Sequence, residues 1–177
     1  MDRISFPLVV GESSLEDARP VSHSQLTMTQ LTTPLEVNLF GNVFGGVVLA
    51  AVDKIAYVCA SRHAGRPCVT ASFDQVDFRA PIGIGEIITL KASVNYVGRT
   101  SLEVGVRVTA ERVHGDEVRH TNSCYVTMVA IDRSGRPAPV PRLVIEDEEQ
   151  YRRYRDAAER RKAHLQLAEQ RRRRREG

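Results

Sequence analysis

Cysteine is scarce and unpatterned: Cys59, Cys68 and Cys124 make an odd count with no CxxC spacing. Neither a disulfide framework nor a zinc knuckle is suggested by that pattern, and the three read as small buried hydrophobes in a reducing, cytoplasmic compartment. Long apolar runs are lacking too. The longest, Val43 to Val52, stops at Asp53, well short of the roughly 20 residues that cross a bilayer. No charged-then-apolar leader opens the sequence, so an unsecreted chain with no membrane span is expected. Also absent are a GxxxxGK[ST] phosphate loop, a GxGxxG turn after a strand and a GxSxG elbow. His114 and His120 have no His or Asp at ligand spacing, so no metal site is expected, and nucleophilic Ser or Cys catalysis finds no local support.

What is present begins with charge. The chain of 177 residues carries a net +3, yet residues 1–145 hold 14 basic and 14 acidic side chains, while 146–177 hold 11 and 8. The surplus belongs to the tail and says little about a ligand of the body. With 42% hydrophobic residues, one globular core plus an appendage is expected.

Three segments emerge. Residues 1–22 mix Pro7, Gly11 and Pro20 without a period and read as a loosely ordered lead-in. Residues 23–145 form the folded body. "SQLTMTQLTT" has strand composition, Asn42 to His63 is a helix, and "VTASFDQVDF" is a strand whose phase shifts near Asp74 and Gln75, suggesting a bulge. "EIITLKASVNYV" and "SLEVGVRVTAERV" alternate cleanly around a Gly98-Arg99-Thr100 turn, and "EVRHTNSCYVTMVAID" follows a second turn at Gly115-Asp116. One long helix with four consecutive antiparallel strands after it implies an α+β domain in which a curved sheet wraps a central helix. Residues 146–177 read as a charged, Arg-rich helix, thinly striped by Tyr151, Tyr154, Ala158 and Leu165, fraying at Arg171 to Arg175.

The helix is apolar on nearly every side, which makes Asp53 conspicuous, because an unsatisfied buried carboxylate costs several kcal/mol. It is either a base in a nearly dry setting or, with Lys54, the one solvated edge. Gly45 and Gly46 in the first turn either leave backbone N–H groups open to a polarised oxygen or allow close packing of the helix start. Asn38 either fixes a turn or donates to a ligand. His63 is expected to cap the last carbonyls. Phe40, Phe44 and Tyr57 suit a tunnel or a core equally.

The runs "NLFGNVFGGVVLAAVD" and "RHAGRPCVTASFDQVDFRAPIGIGEIITLKASVNYVGRTSLEV" resemble the hotdog-fold acyl-CoA thioesterases of the acyl-CoA hydrolase type, from about Leu26 to Ile131. The resemblance implies hydrolysis of an acyl-CoA to a free acid and CoA by a homodimer or a trimer of dimers, with no cofactor. Asp53 matches the general base or nucleophile. Asn38 matches a group that positions water or substrate and faces the Asp of the other subunit. Gly46, with Gly45 beside it, matches the amide that polarises the thioester carbonyl. Arg79, Arg99, Thr100 and Ser101 match positions that meet CoA phosphates. Phe44 departs from the pattern, since many relatives carry His there. A non-catalytic acyl-CoA sensor of the same fold is the alternative. No specific nucleic-acid partner is expected, a solvated tail being favoured over one that binds polyanions.

Overall fold

The computed structural model describes residues 5–74 and 76–176. Two short strands, β1 (Leu8–Val10) and β2 (Ala18–Pro20), and a single turn, α1 (Val21–Ser24), precede β3 (Leu26–Leu31). The central helix α2 spans Gly45–Ala64, followed by β4 (Cys68–Phe73), β5 (Glu86–Val97), β6 (Ser101–Arg112) and β7 (Val118–Ala130). The chain closes with β8 (Arg142–Ile145) and the long α3 (Glu148–Glu176).

The larger sheet is antiparallel, in the order β3-β5-β6-β7-β4. Period-two alternation gives it two unlike faces. Leu102, Val104, Val106 and Val108 of β6 are buried on the inner face, alongside Ile88 and Leu90 of β5 and Val126 and Met128 of β7. That face closes over α2, whose Val48, Val52, Ile55, Ala56 and Cys59 join the same core. Each fully buried aliphatic side chain contributes about 1.5–3 kcal/mol, so an all-round apolar helix is the sequence cost of being covered on several sides. This is the expected hotdog arrangement.

Gly65 ends α2 in the left-handed region at φ 67°, and Arg19 of β2 reaches over it. The Arg19 guanidinium donates to the carbonyls of Arg62 and His63 at 3.0 and 2.9 Å. The cap expected from His63 is therefore supplied by Arg19. His63 itself is buried and donates from Nε2 to the Pro141 carbonyl at 3.2 Å, while burial pushes its pKa down to about 4.

Three other expectations are corrected. The segment 1–22 is not a loose lead-in where it is described: β1 pairs antiparallel and β2 parallel with β8, because Leu143 and Ile145 carry the core past the main sheet. The register break in β4 falls between Thr70 and Ser72, leaving Ala71 out of the ladder. The strand ends at Phe73, so Val76 and Phe78 lie beyond it, and Gln75 lies outside the described residues. The tail remains helical through Arg171 to Arg175, and its docked face is Tyr151, Tyr154 and Ala157, not Ala158 and Leu165.

The docking of α3 is specific. The Tyr154 ring stacks on Tyr96 of β5, with centroids 5.3 Å apart. Arg160 lies over the Tyr125 ring and forms a paired bond with the buried Glu103 carboxylate, at 2.7 and 3.1 Å. All these partners are on the outer face of the sheet, opposite α2.

Candidate active site

Asp53 sits in the third turn of α2, half-buried at the edge of the apolar helix. Its Oδ1 accepts a 2.6 Å hydrogen bond from the Thr70 hydroxyl of β4. Thr70 Oγ also lies 3.4 Å from the Met128 sulfur, so the hydroxyl is held between an apolar floor and the carboxylate. A bond this short to a carboxylate oxygen fixes the carboxyl plane and leaves its second oxygen for another partner. Lys54, the suggested companion on a solvated edge, is exposed and forms no ion pair with Asp53.

The helix start separates the two glycines. A Cβ on Gly45 would stand 3.0 Å from the Phe78 ring, so this glycine lets an aromatic side chain close on the first turn. A Cβ on Gly46 would meet nothing within 4 Å. Phe44 is the N-cap residue, with no side-chain cap bond, and its carbonyl takes the N–H groups of Val47 and Val48. The N–H groups of the first turn point out of the helix at its positive end.

Asn38 shapes the loop that leads there. Its Oδ1 accepts from the N–H groups of Phe40, at 2.9 Å, and Asn42, at 3.2 Å, and Val37 pairs with Val43 across the same small turn. The turn role is filled by the side-chain oxygen, and the amide NH2 is what remains for a ligand. The tip, Leu39 and Phe40, projects fully from the protomer. Phe44 and Tyr57 are about half exposed, so neither they nor Phe40 are core in one copy.

The four residues matched to CoA contacts do not converge in one protomer. The Arg79 N–H donates to Thr121 near the start of β7, whereas Ser101 pairs with Val129 near its end. Eight residues of strand put these roughly 27 Å apart. Arg99 and Thr100 form the β5–β6 turn, where their carbonyls accept from Val140 and Ala130. The Ser101 hydroxyl accepts from Arg161 of α3 at 3.1 Å. All four are thus already in structural use: Arg79, Arg99 and Thr100 bond through their backbones, and the Ser101 side chain sits under an arginine of α3.

Thr70 and Phe78 were not singled out in the sequence. Thr70 lies in a strand that is exposed in one copy at every position after Cys68, and nothing local distinguishes it from Thr109 or Thr127. Its significance comes only from the packing of β4 against α2.

The Thioesterase superfamily profile matches residues 40–115. Protein VdlD of Helicobacter pylori is 43% identical over 77% of this chain and 78% of its own. A crystal structure of an apo-hexameric acyl-CoA thioesterase superposes with a TM-score of 0.83 at 39% identity, covering 86% of this chain and 97% of that one. An acyl-CoA hydrolase from Staphylococcus aureus, solved with butyryl-CoA, CoA and CoA disulfide, gives 0.79 at 35% identity, over 86% and 95%. That enzyme has also been solved with an aspartate, an asparagine or a threonine replaced by alanine.

Proposed function

We propose, on the premise that this chain belongs to the thioesterase superfamily and is a thioester hydrolase, that it hydrolyses an acyl-CoA to the carboxylic acid and CoA through Asp53, Thr70, Asn38 and Gly46. The observation that carries the reading is the 2.6 Å bond from Thr70 to Asp53, on the same helix whose first turn is open at Gly46. Support for the set comes from the S. aureus hydrolase, where the altered asparagine, aspartate and threonine follow one another at the same spacing as Asn38, Asp53 and Thr70 here.

In this reading Asp53 takes a proton from water as the water oxygen attacks the thioester carbon. The oxyanion that forms is met by the Gly46 N–H and the positive end of the helix. Collapse of the tetrahedral intermediate breaks the C–S bond, and the thiolate of CoA leaves and is protonated. Thr70 is a positioning residue, holding the carboxyl plane. The Asn38 NH2 orients the water or the carbonyl. The same atoms allow Asp53 to attack directly and form an anhydride that water then clears. Label found in the Asp53 carboxylate after repeated turnover in heavy-oxygen water identifies the second route, with water attacking the aspartyl carbon of the anhydride.

The chemistry needs two copies, since Asp53 and Gly46 lie seven residues, or roughly 10 Å, apart along α2. The partner's helix start then faces Asp53 of the first copy. Solved relatives support an oligomer, one of them a hexamer. A cytoplasmic location accompanies the reading, supported by three unpaired buried thiols.

The test is release of CoA from a series of acyl-CoA esters by the parent, Asp53→Asn and Asn38→Ala. Loss of turnover in both, with the fold retained, is expected. Full activity in both overturns the assignment, and ester binding without turnover in the parent makes the chain a sensor instead.

A further inference from the structure

A polar groove of about 660 Å³ lies between the outer face of the sheet and the start of α3, on the side away from α2 and Asp53. Its floor holds Ser93 and Asn95, both buried, beside Gly105 and Tyr125. Across its mouth runs one registered row, Thr27 on β3, Lys91 on β5, Arg107 on β6 and Ser123 on β7. Lys91 and Arg107 are direct cross-strand neighbours, and like charges set opposite one another in a sheet are destabilising.

The other cations of the groove are neutralised from nearby. Arg152 pairs with Glu149 and Asp156, Arg153 with Glu149, and Arg160 with Glu103. Among the described residues no carboxylate pairs with Lys91 or Arg107. The Arg107 charge is felt at the end of the row: burial, then Arg107 and Arg79, hold the His120 pKa below its ordinary value, and His120 Nε2 lies 2.8 Å from the Ser123 hydroxyl.

We propose that this groove binds a small, multiply charged phosphate compound, held by Lys91 and Arg107 with the hydroxyls of Thr27 and Ser123 beside them. Two adjacent cations with flanking hydroxyls match a phosphate chain, arginine supplying paired donors and lysine a point charge. The volume is that of a small-molecule site, and the α3 roof together with the buried polar floor suits a soluble ligand. Binding relieves the repulsion between the two strands and ties β5 and β6 together beneath α3.

Inorganic pyrophosphate is the probe, titrated into the full-length protein at constant ionic strength and followed by calorimetry and by the His120 ring resonances. One saturable site per chain is expected, with the His120 pKa rising as Arg107 is neutralised. Lys91→Gln and Arg107→Gln should each weaken binding at least tenfold while leaving the unliganded protein as stable as the parent or more so, since each removes the cross-strand repulsion. Asp53→Asn should bind as the parent does. The proposal fails if binding does not saturate, or if it survives Arg107→Gln; its disappearance when Arg171 to Arg175 are replaced by Gln then assigns the binding to the tail. It also fails if the parent binds nothing, and groove variants that then alter the oligomeric mass show the groove to be a contact between copies.

Discussion

Replacing Thr70 by Val removes the hydroxyl that holds Asp53 and changes little else. Valine keeps the β-branched shape suited to β4, and its methyl groups can rest against Met128, which the hydroxyl already touches at 3.4 Å. The bond lost is 2.6 Å long and ends on a carboxylate. Hydrogen bonds to charged groups contribute about 1.5–3 kcal/mol, and if that alignment is used in full at the transition state, kcat falls roughly 10- to 150-fold. KM should hold, because in the proposed mechanism Thr70 touches the base and not the substrate. Thr70→Ser should restore most of the rate. The decisive measurement is the double substitution: in an Asp53→Ala background Thr70→Val should cost nothing further, since its only route to the reaction has been removed. An equal loss of kcat in both backgrounds refutes the role, as does an unchanged kcat in the single variant with the melting temperature intact.

Alanine at Gly46 should leave stability unchanged or slightly raised, since a methyl there meets open space, while lowering kcat by crowding the carbonyl's approach. Alanine at Gly45 should lower the melting temperature, because its methyl presses on Phe78 at 3.0 Å; the pair of melts and rate assays checks both. Burial holds the His63 pKa near 4, against 6.5 for a free imidazole. The unfolded chain therefore takes up this proton first, stability rises with pH across that window, and about 3 kcal/mol is lost on going from pH 6.5 to 4. Denaturant melts of the parent against His63→Gln read that slope, which should flatten in the variant. Burial likewise raises the thiol pKa of Cys59 to about 12 and those of Cys68 and Cys124 to about 11, so Ellman's reagent should titrate none of them in the folded protein and all three in guanidinium.

Much of the fold was legible because periodicity survives in the middle of the chain. β5, β6 and β7 alternate over most of their lengths, broken only at register shifts between Val94 and Tyr96 and between Val108 and Thr109, and the alternation is the sheet: one face on α2, the other facing α3 and the groove. The helix was legible through its lack of amphipathicity, which demands cover on several sides. What stayed hidden has short-range causes. β1 and β2 are three residues each, too few to show a period, and they exist because β8 lies between them. Tyr151 and Tyr154 of the expected stripe do dock α3, but Ala157 was missed and Ala158 and Leu165 were chosen in its place, because a stripe drawn from apolar residues alone does not show that Tyr96 and the Glu103–Arg160 pair lie beneath the helix. In the site, Asp53 drew notice as a carboxylate in an apolar helix. Thr70 did not, since it becomes distinct only when a bulge at Ala71 and the packing of β4 bring its hydroxyl to Asp53.

The two faces of the sheet call for opposite solutions to one problem, surface left over by a single copy. On the α2 side the leftover is apolar: Phe44, Tyr57, Val69, Phe73 and Phe78 are each roughly 40–50% exposed around Asp53 and the helix start, and Leu39 and Phe40 project from the loop beside them. Apolar area is withdrawn from water at about 25 cal/mol per Å², without need of directed partners, so a second copy suits that face. The proposed chemistry requires the same closure, because a water and an oxyanion donor must both stand about 3 Å from one carbonyl, while Asp53 and Gly46 of one helix are separated by two turns. On the α3 side the leftover is positive charge, set by the registered Lys91 and Arg107. Charge is satisfied by countercharge and not by area, so what settles there is an anion.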